Sequence, residues 1–133
     1  MSVTVQRLDH VNVRTSNLDG MIAWYGEVLD MHPGPRPAFS FPGAWLYCDG
    51  AATIHLVGIN AEPAADPKDL KLEHFALRAT GYRALLDRAQ ARGADCKVLR
   101  VPGFPIVQIN LWDADGNHIH IDFDIEETEF AGT

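Results

Sequence analysis

The chain is written twice. Leu8-Asp9-His10-Val11-Asn12-Val13-Arg14-Thr15 returns 64 residues later as Leu72-Glu73-His74-Phe75-Ala76-Leu77-Arg78-Ala79. Ile54-His55-Leu56 returns 65 residues later as Ile119-His120-Ile121. Regular internal repetition constrains a fold more than any single motif, because each copy must form the same supersecondary unit. The repeat puts four of the six histidines at two pairs of equivalent positions. Halves packed about a pseudo-twofold axis would bring those four together. Convergent imidazoles are ligands for transition metals.

Length and charge narrow the setting. The 133 residues suit one domain, 1–133, or two small modules sharing a core. Apolar residues make up 47% and charged residues 22%, the balance of a soluble globular protein. A formal charge of −7 disfavours nucleic acid and anionic membrane as partners. No basic start leads into an apolar stretch, as a secretory signal would require. No apolar run reaches the roughly 20 residues of a membrane span. Cys48 and Cys96 read as buried small residues in a reducing compartment, without a disulfide framework. The expected location is the cytoplasm.

Periodicity gives the order of elements. Residues 5–14 alternate as a half-buried strand. A helix follows, capped by Asn17 or Ser16, with Leu18, Met21, Ile22, Tyr25, Val28 and Leu29 on one face. His32-Pro33-Gly34-Pro35-Arg36-Pro37 breaks it. Strands are expected at 44–48 and 53–57, joined at Asp49-Gly50. Residues 59–70 read as an exposed linker between modules spanning about 5–58 and about 71–125. The second module repeats the order. A strand over 72–78 precedes a helix capped by Thr80, with Tyr82, Leu85, Leu86 and Ala89 on one face and Gly93 past its end. Strands follow at 97–101, 106–112 and 118–123, the last after a turn at Asp115-Gly116. Each half is β-α-β-β-β, with the first strand of the triplet weakest in the first half.

A period of two sorts the strand residues by face. His10 lies opposite Val11 and Val13, and His55 opposite Ile54 and Leu56. His74 lies opposite Phe75 and Leu77, and His120 opposite Ile119 and Ile121. The aliphatic face can cover the helices. The other face carries all four repeat histidines. The fold class is α+β: two β-α-β-β-β modules forming a curved sheet around a cleft lined by imidazole.

With these residues in hand the chain resembles the vicinal oxygen chelate superfamily, which includes glyoxalases, bleomycin-resistance proteins and extradiol dioxygenases. The likeness runs from Leu8 to Phe123. It is carried by Leu8-Asp9-His10-Val11, Trp24-Tyr25-Gly26-Glu27-Val28-Leu29-Asp30-Met31, Phe41-Pro42-Gly43-Ala44-Trp45-Leu46, Ile54-His55-Leu56, Leu72-Glu73-His74 and Asp113-Ala114-Asp115-Gly116-Asn117 before Ile119-His120-Ile121. The resemblance implies one divalent transition metal per site, such as Zn, Ni or Fe, held from the first, fourth, fifth and eighth strands. Those positions are His10, His55, His74 and His120. It also implies a small-molecule substrate and a homodimer, with ligands drawn from one chain or two.

The chain departs from the family in one respect. Isomerases and lyases of the superfamily commonly carry glutamate on the eighth strand, where His120 stands. Four neutral imidazoles leave the full charge of a divalent metal in place, which favours an anionic substrate. A glutamate able to shuttle a proton is also missing. Asp122, on the same face as His120, is the nearest catalytic base in sequence, and water activated by the metal is the alternative.

Other residues line the expected cleft. Trp45, Tyr47, Gln108, Asn110 and Trp112 fall on its alternation, as aromatics with a few polar groups suit a substrate pocket. His118 shares the face but has no repeat partner. Arg14 and Arg78 are repeat-equivalent and could hold a substrate carboxylate, although surface salt bridges are the plainer role. Asp113-Ala114-Asp115-Gly116 reads as a turn rather than a calcium loop. The leading function is a glyoxalase-I-like lyase or isomerase chelating a small oxygenated substrate. A ring-cleaving dioxygenase, a thiol transferase and a metal-free drug binder are the rivals.

Overall fold

Each half folds into one helix and four strands, and each builds its own sheet. The computed structural model describes residues 3–63, 66 and 69–133. Ala64, Ala65, Pro67 and Lys68 of the expected linker lie outside the described residues. The first module runs β1 (Val11–Thr15), α1 (Leu18–Leu29), β2 (His32–Pro33), β3 (Gly43–Cys48) and β4 (Ala51–Gly58). The second runs β5 (Phe75–Arg78), α2 (Tyr82–Ala91), β6 (Cys96–Arg100), β7 (Ile106–Trp112) and β8 (His118–Asp124), then a 3-10 turn at Ile125–Glu127. Strand order is β1-β4-β3-β2 in one sheet and β5-β8-β7-β6 in the other. The two expected β-α-β-β-β modules are thus present, each building its own open four-stranded sheet.

The repeat carries through to register. β1 and β4 pair in parallel with Val11 opposite Ile54 and Asn12 opposite His55. β5 and β8 do the same with Phe75 opposite Ile119 and Ala76 opposite His120. The remaining neighbours pair antiparallel. β2, the weak member, keeps two residues. Its proline has no N–H to give a ladder. β1 and β5 start later than the alternation suggested, so His10 and His74 stand just ahead of their strands.

The aliphatic faces and both helices make one core. Met21, Trp24, Tyr25 and Val28 of α1 and Tyr82, Leu85 and Ala89 of α2 pack with Ile54, Leu56, Ile109, Ile119, Ile121 and Phe123. Two corrections concern local chemistry. Thr80 does not cap α2. Gly81 occupies that position at φ 93, a backbone region that disfavours a Cβ. Glu127 Oε1 accepts the N–H groups of Gly81 and Tyr82 at 2.6 and 2.9 Å, serving as a cap from 45 residues away in sequence. Cys96 is exposed rather than buried, and Cys48 is partly buried; both are free thiols.

One buried polar contact joins the modules. Tyr25 Oη, on α1, donates to Asp113 Oδ2 at 2.8 Å, beyond the end of β7. Asp113 Oδ1 also accepts from Asp115 N, Asn117 N and Asn117 Nδ2 at 3.0–3.1 Å, which confirms the turn role of this segment. Burial pushes the Asp113 carboxyl up and those hydrogen bonds pull it down, with the net direction upward. At the surface Arg88 reaches Asp30 at 2.7 Å, and Arg92 pairs with Glu27.

Two tyrosines set an alkaline limit. Burial, then the Asp113 charge, pushes the Tyr25 phenol well above its ordinary value of 10.0. Burial and the Glu129 hydrogen bond push Tyr82 up to about 12. Above pH 10 the unfolded chain loses these protons while the folded chain keeps them. The native state then binds more protons, so stability falls as pH rises, by about 1.4 kcal/mol per pH unit for each fully protected group. Urea midpoints at pH 9, 10 and 11 are expected to decline with a slope that Tyr25→Phe reduces.

Candidate metal centre

In the second module two histidines stand at chelating distance. His74 Nε2 and His120 Nε2 are 3.0 Å apart. Two nitrogens each about 2.1 Å from one metal, at a right angle, lie about 3.0 Å apart. Each ring is held from its other side. His120 Nδ1 donates to Asp122 Oδ1 at 2.5 Å, and His74 Nδ1 contacts Glu73 Oε2. A carboxylate on Nδ1 fixes the tautomer and leaves the Nε2 lone pair for a metal. His120 is buried, and His74 is exposed at the rim. The donor set fits a divalent transition metal.

The first module arranges its pair differently. His10 and His55 stack face to face, with ring centres 3.9 Å apart, and Trp45 stacks on the other face of His55 at 4.0 Å. His10 Nδ1 bonds Asp9 Oδ2 at 2.7 Å, so it too has an acidic clamp. His55 Nε2 donates to Ala52 O at 3.1 Å, which leaves Nδ1 as its lone-pair nitrogen. Burial, then the neighbouring His10, lowers the pKa of His55 and favours the neutral, metal-binding form.

His10 and His55 on one side and His74 on the other line different cavities. His10, His55 and Trp45 line a cavity of about 420 Å³. His74 and His118 line a cleft of about 1040 Å³ between the free edges of β1 and β5. Among the described residues, the one group of three or more metal-binding side chains with ligand atoms within 4.8 Å is Glu73, His74 and His118. The four repeat histidines thus form two pairs rather than one cluster within a single chain.

No protein-family model matches the sequence, and no curated protein does. Solved structures do. A glyoxylase/bleomycin resistance protein/dioxygenase domain from Frankia sp. EAN1pec superposes with TM-score 0.76 at 20% identity, covering 91% of this chain and 99% of that one. A glyoxalase/dioxygenase from Nostoc punctiforme gives 0.71 at 18% identity, covering 93% and 97%. The genomically encoded fosfomycin resistance protein FosX from Listeria monocytogenes gives 0.69 at 12% identity, covering 90% and 94%.

The chain has the vicinal oxygen chelate fold.

Within this fold the other expected site residues scatter. His118 Nδ1 meets Glu73 Oε1 and its Nε2 meets Asn110 Oδ1, both at 2.9 Å, and Trp112 stacks on the ring at 5.1 Å. His118, Asn110 and Trp112 therefore form one group beside His74. Arg14 lines the large cleft. Arg78 is exposed and lies opposite Asp122 in register, outside that lining. Gln108 also lies opposite Asp122, on β7. Tyr47 donates its hydroxyl to Pro35 O and pairs with His32 across β2 and β3, and it is absent from the lining of either cavity. The sequence reading overlooked Asp9 and Glu73, although the acid–histidine pair at both repeat positions marks them.

Proposed function

We propose that the protein is a metal-dependent enzyme of the vicinal oxygen chelate superfamily, glyoxalase-I-like, acting on a small oxygenated substrate. The observation that carries this reading is the His74–His120 pair at 3.0 Å, with Nδ1 of each ring held by an acid. His10 and His55 complete the ligand set. A bound divalent metal supplies Lewis acidity to two adjacent substrate oxygens. The chain's own residues orient the ligands and line the cleft. Asp122 acts on His120 and is a positioning residue in this reading.

A second copy completes the centre. β1 and β5 each end a sheet with an unpaired edge. Leu8 and Leu72, repeat-equivalent residues ahead of those edges, are 69% and 68% exposed. Apolar side chains beside free strand edges suit burial against another chain. Two chains related by a twofold axis would set one chain's first pair against the other's second pair. Light scattering at micromolar concentration is expected to give a dimer, and Leu8→Glu with Leu72→Glu to shift it to monomer. A monomeric wild type would remove the shared centre.

The activity is tested by elemental analysis of purified protein and a screen of hemithioacetals, catechols and epoxides. A hemithioacetal turned over with about one metal per site supports the glyoxalase reading. Catechol cleavage or thiol addition to an epoxide selects a rival within the superfamily. Absence of metal with tight drug binding selects the metal-free binder.

Asp122→Asn separates positioning from proton transfer. Removing the acid behind a ligand histidine is expected to weaken metal binding about 10- to 100-fold and spare turnover at saturating metal. Turnover that stays low at saturating metal would make Asp122 the base.

A further inference from the structure

The candidate ligands His55 and His120 occupy equivalent places but are held by different means. Asn12 lies opposite His55 between β1 and β4, and Ala76 opposite His120 between β5 and β8. The same registers put Val57 where Asp122 stands, opposite Arg14 and Arg78 respectively. Asp122 Oδ1 steadies the His120 ring through Nδ1. The Val57 side chain has no hydrogen-bonding group to do this for His55. A ligand ring without an outer partner is free to turn, and metal affinity suffers for it.

β3 supplies the substitute. Trp45 lies opposite His55 in register, as Asn110 lies opposite His120 on β7. The indole stacks on the imidazole with ring centres 4.0 Å apart and 11° between planes. His10 stacks on the same imidazole at 3.9 Å and 10°. Ala52 O, 3.1 Å from Nε2, fixes the turn of the ring within its plane. Asn110 instead bonds His118 Nε2 and Lys97 O. Packing of the core does not require the indole. Its strand neighbours Ala44 and Leu46 are the buried core residues, whereas Trp45 is partly exposed and lines the cavity of about 420 Å³ with His10 and His55. Phe39, from the loop between β2 and β3, backs the indole with ring centres 6.4 Å apart.

We propose that Trp45 is the positioning residue of the first module, holding the plane of the His55 ring as Asp122 holds His120. The inference rests on the reading of His55 as a metal ligand.

The test separates a flat ring from bulk. Chelator-treated wild type, Trp45→Ala, Trp45→Phe and His55→Ala are titrated with Co²⁺ and followed by absorbance. Trp45→Ala is expected to weaken Co²⁺ binding about 10-fold, the scale of one aromatic pair. Trp45→Phe keeps a stacking plane and is expected to stay near wild type. His55→Ala loses a ligand and is expected to weaken binding by more than about 100-fold. Proton NMR gives a reading that needs no metal. The indole ring current shields the His55 ring protons, which are assigned by their absence in His55→Ala, and Trp45→Ala is expected to move them downfield. Unchanged Co²⁺ affinity or unmoved His55 signals in Trp45→Ala, beside weak binding in His55→Ala, overturn the proposal and leave the four-histidine reading standing. Equal losses in Trp45→Phe and Trp45→Ala overturn it as well, because the plane then contributes nothing. Wild-type affinity in His55→Ala sinks the four-histidine reading and this proposal with it. Melting curves check that each variant folds. If Trp45→Ala melts early, Trp45→Leu, apolar but without a ring, carries the test.

Discussion

His120→Ala is expected to release the metal of the four-histidine centre, weakening its affinity by more than about 100-fold. The bound of comparison is the 10- to 100-fold loss typical when only an outer partner of a ligand is removed. Alanine deletes the nitrogen that stands 3.0 Å from His74 Nε2. It also leaves the Asp122 carboxylate, now without its imidazole donor, beside the site. His120→Glu is expected to keep the ion, because an oxygen donor suits the same metals. It also supplies the carboxylate that superfamily lyases carry on this strand. If the reaction is a proton transfer of the glyoxalase type, this variant keeps or raises the rate. Metal content and rate are measured on both variants. Unaltered metal content in His120→Ala would remove His120 from the ligand set.

Asp113→Ala is expected to be strongly destabilising although it lies away from the histidines. One carboxylate accepts from Tyr25 Oη, Asp115 N, Asn117 N and Asn117 Nδ2. Its loss unties the β7–β8 turn and leaves a buried phenol without an acceptor. A buried donor stranded in this way, with the turn bonds gone, costs about 3 kcal/mol. For a domain of this size that corresponds to a Tm lower by about 10 °C. Tyr25→Phe is expected to cost about 1 kcal/mol, since Asp113 keeps its turn partners. Thermal melts of the two variants, side by side, check the order. Equal losses would mean that the turn bonds contribute little.

Much of this was legible in the residues. Alternation placed the aliphatic face of β4 and β8, and the repeat fixed the order of elements and the equivalence of the histidines. Alternation says which side of a sheet a residue faces. It does not say how two sheets stand to one another, so the separation into two pairs was beyond it. Glu127 as the cap of α2 was equally hidden, since it arrives from 45 residues away. The acidic clamps are a subtler case. Neighbours inside a strand point to opposite faces, which argues against Asp9 touching His10 or Glu73 touching His74. Both pairs lie just ahead of β1 and β5, where that rule lapses. Asp122 and His120, two apart within β8, obey the rule and were legible together.

The four sheet edges are unequal. β2 is two residues long and ends in proline, and β6 presents Lys97 and Arg100. Such edges resist further pairing. β1 and β5 carry one arginine each, Arg14 and Arg78, but no proline, and exposed leucines lie just ahead of both. If β1 of one copy met β5 of the next by a rotation that did not close, copies would add without end and the product would be a fibre. A twofold operation consumes both vulnerable edges at once and stops at two. The shared β-α-β-β-β order of the two modules makes that closure geometrically cheap. A substitution that tilts one module against the other, such as one at the Tyr25–Asp113 contact, therefore threatens solubility as well as stability.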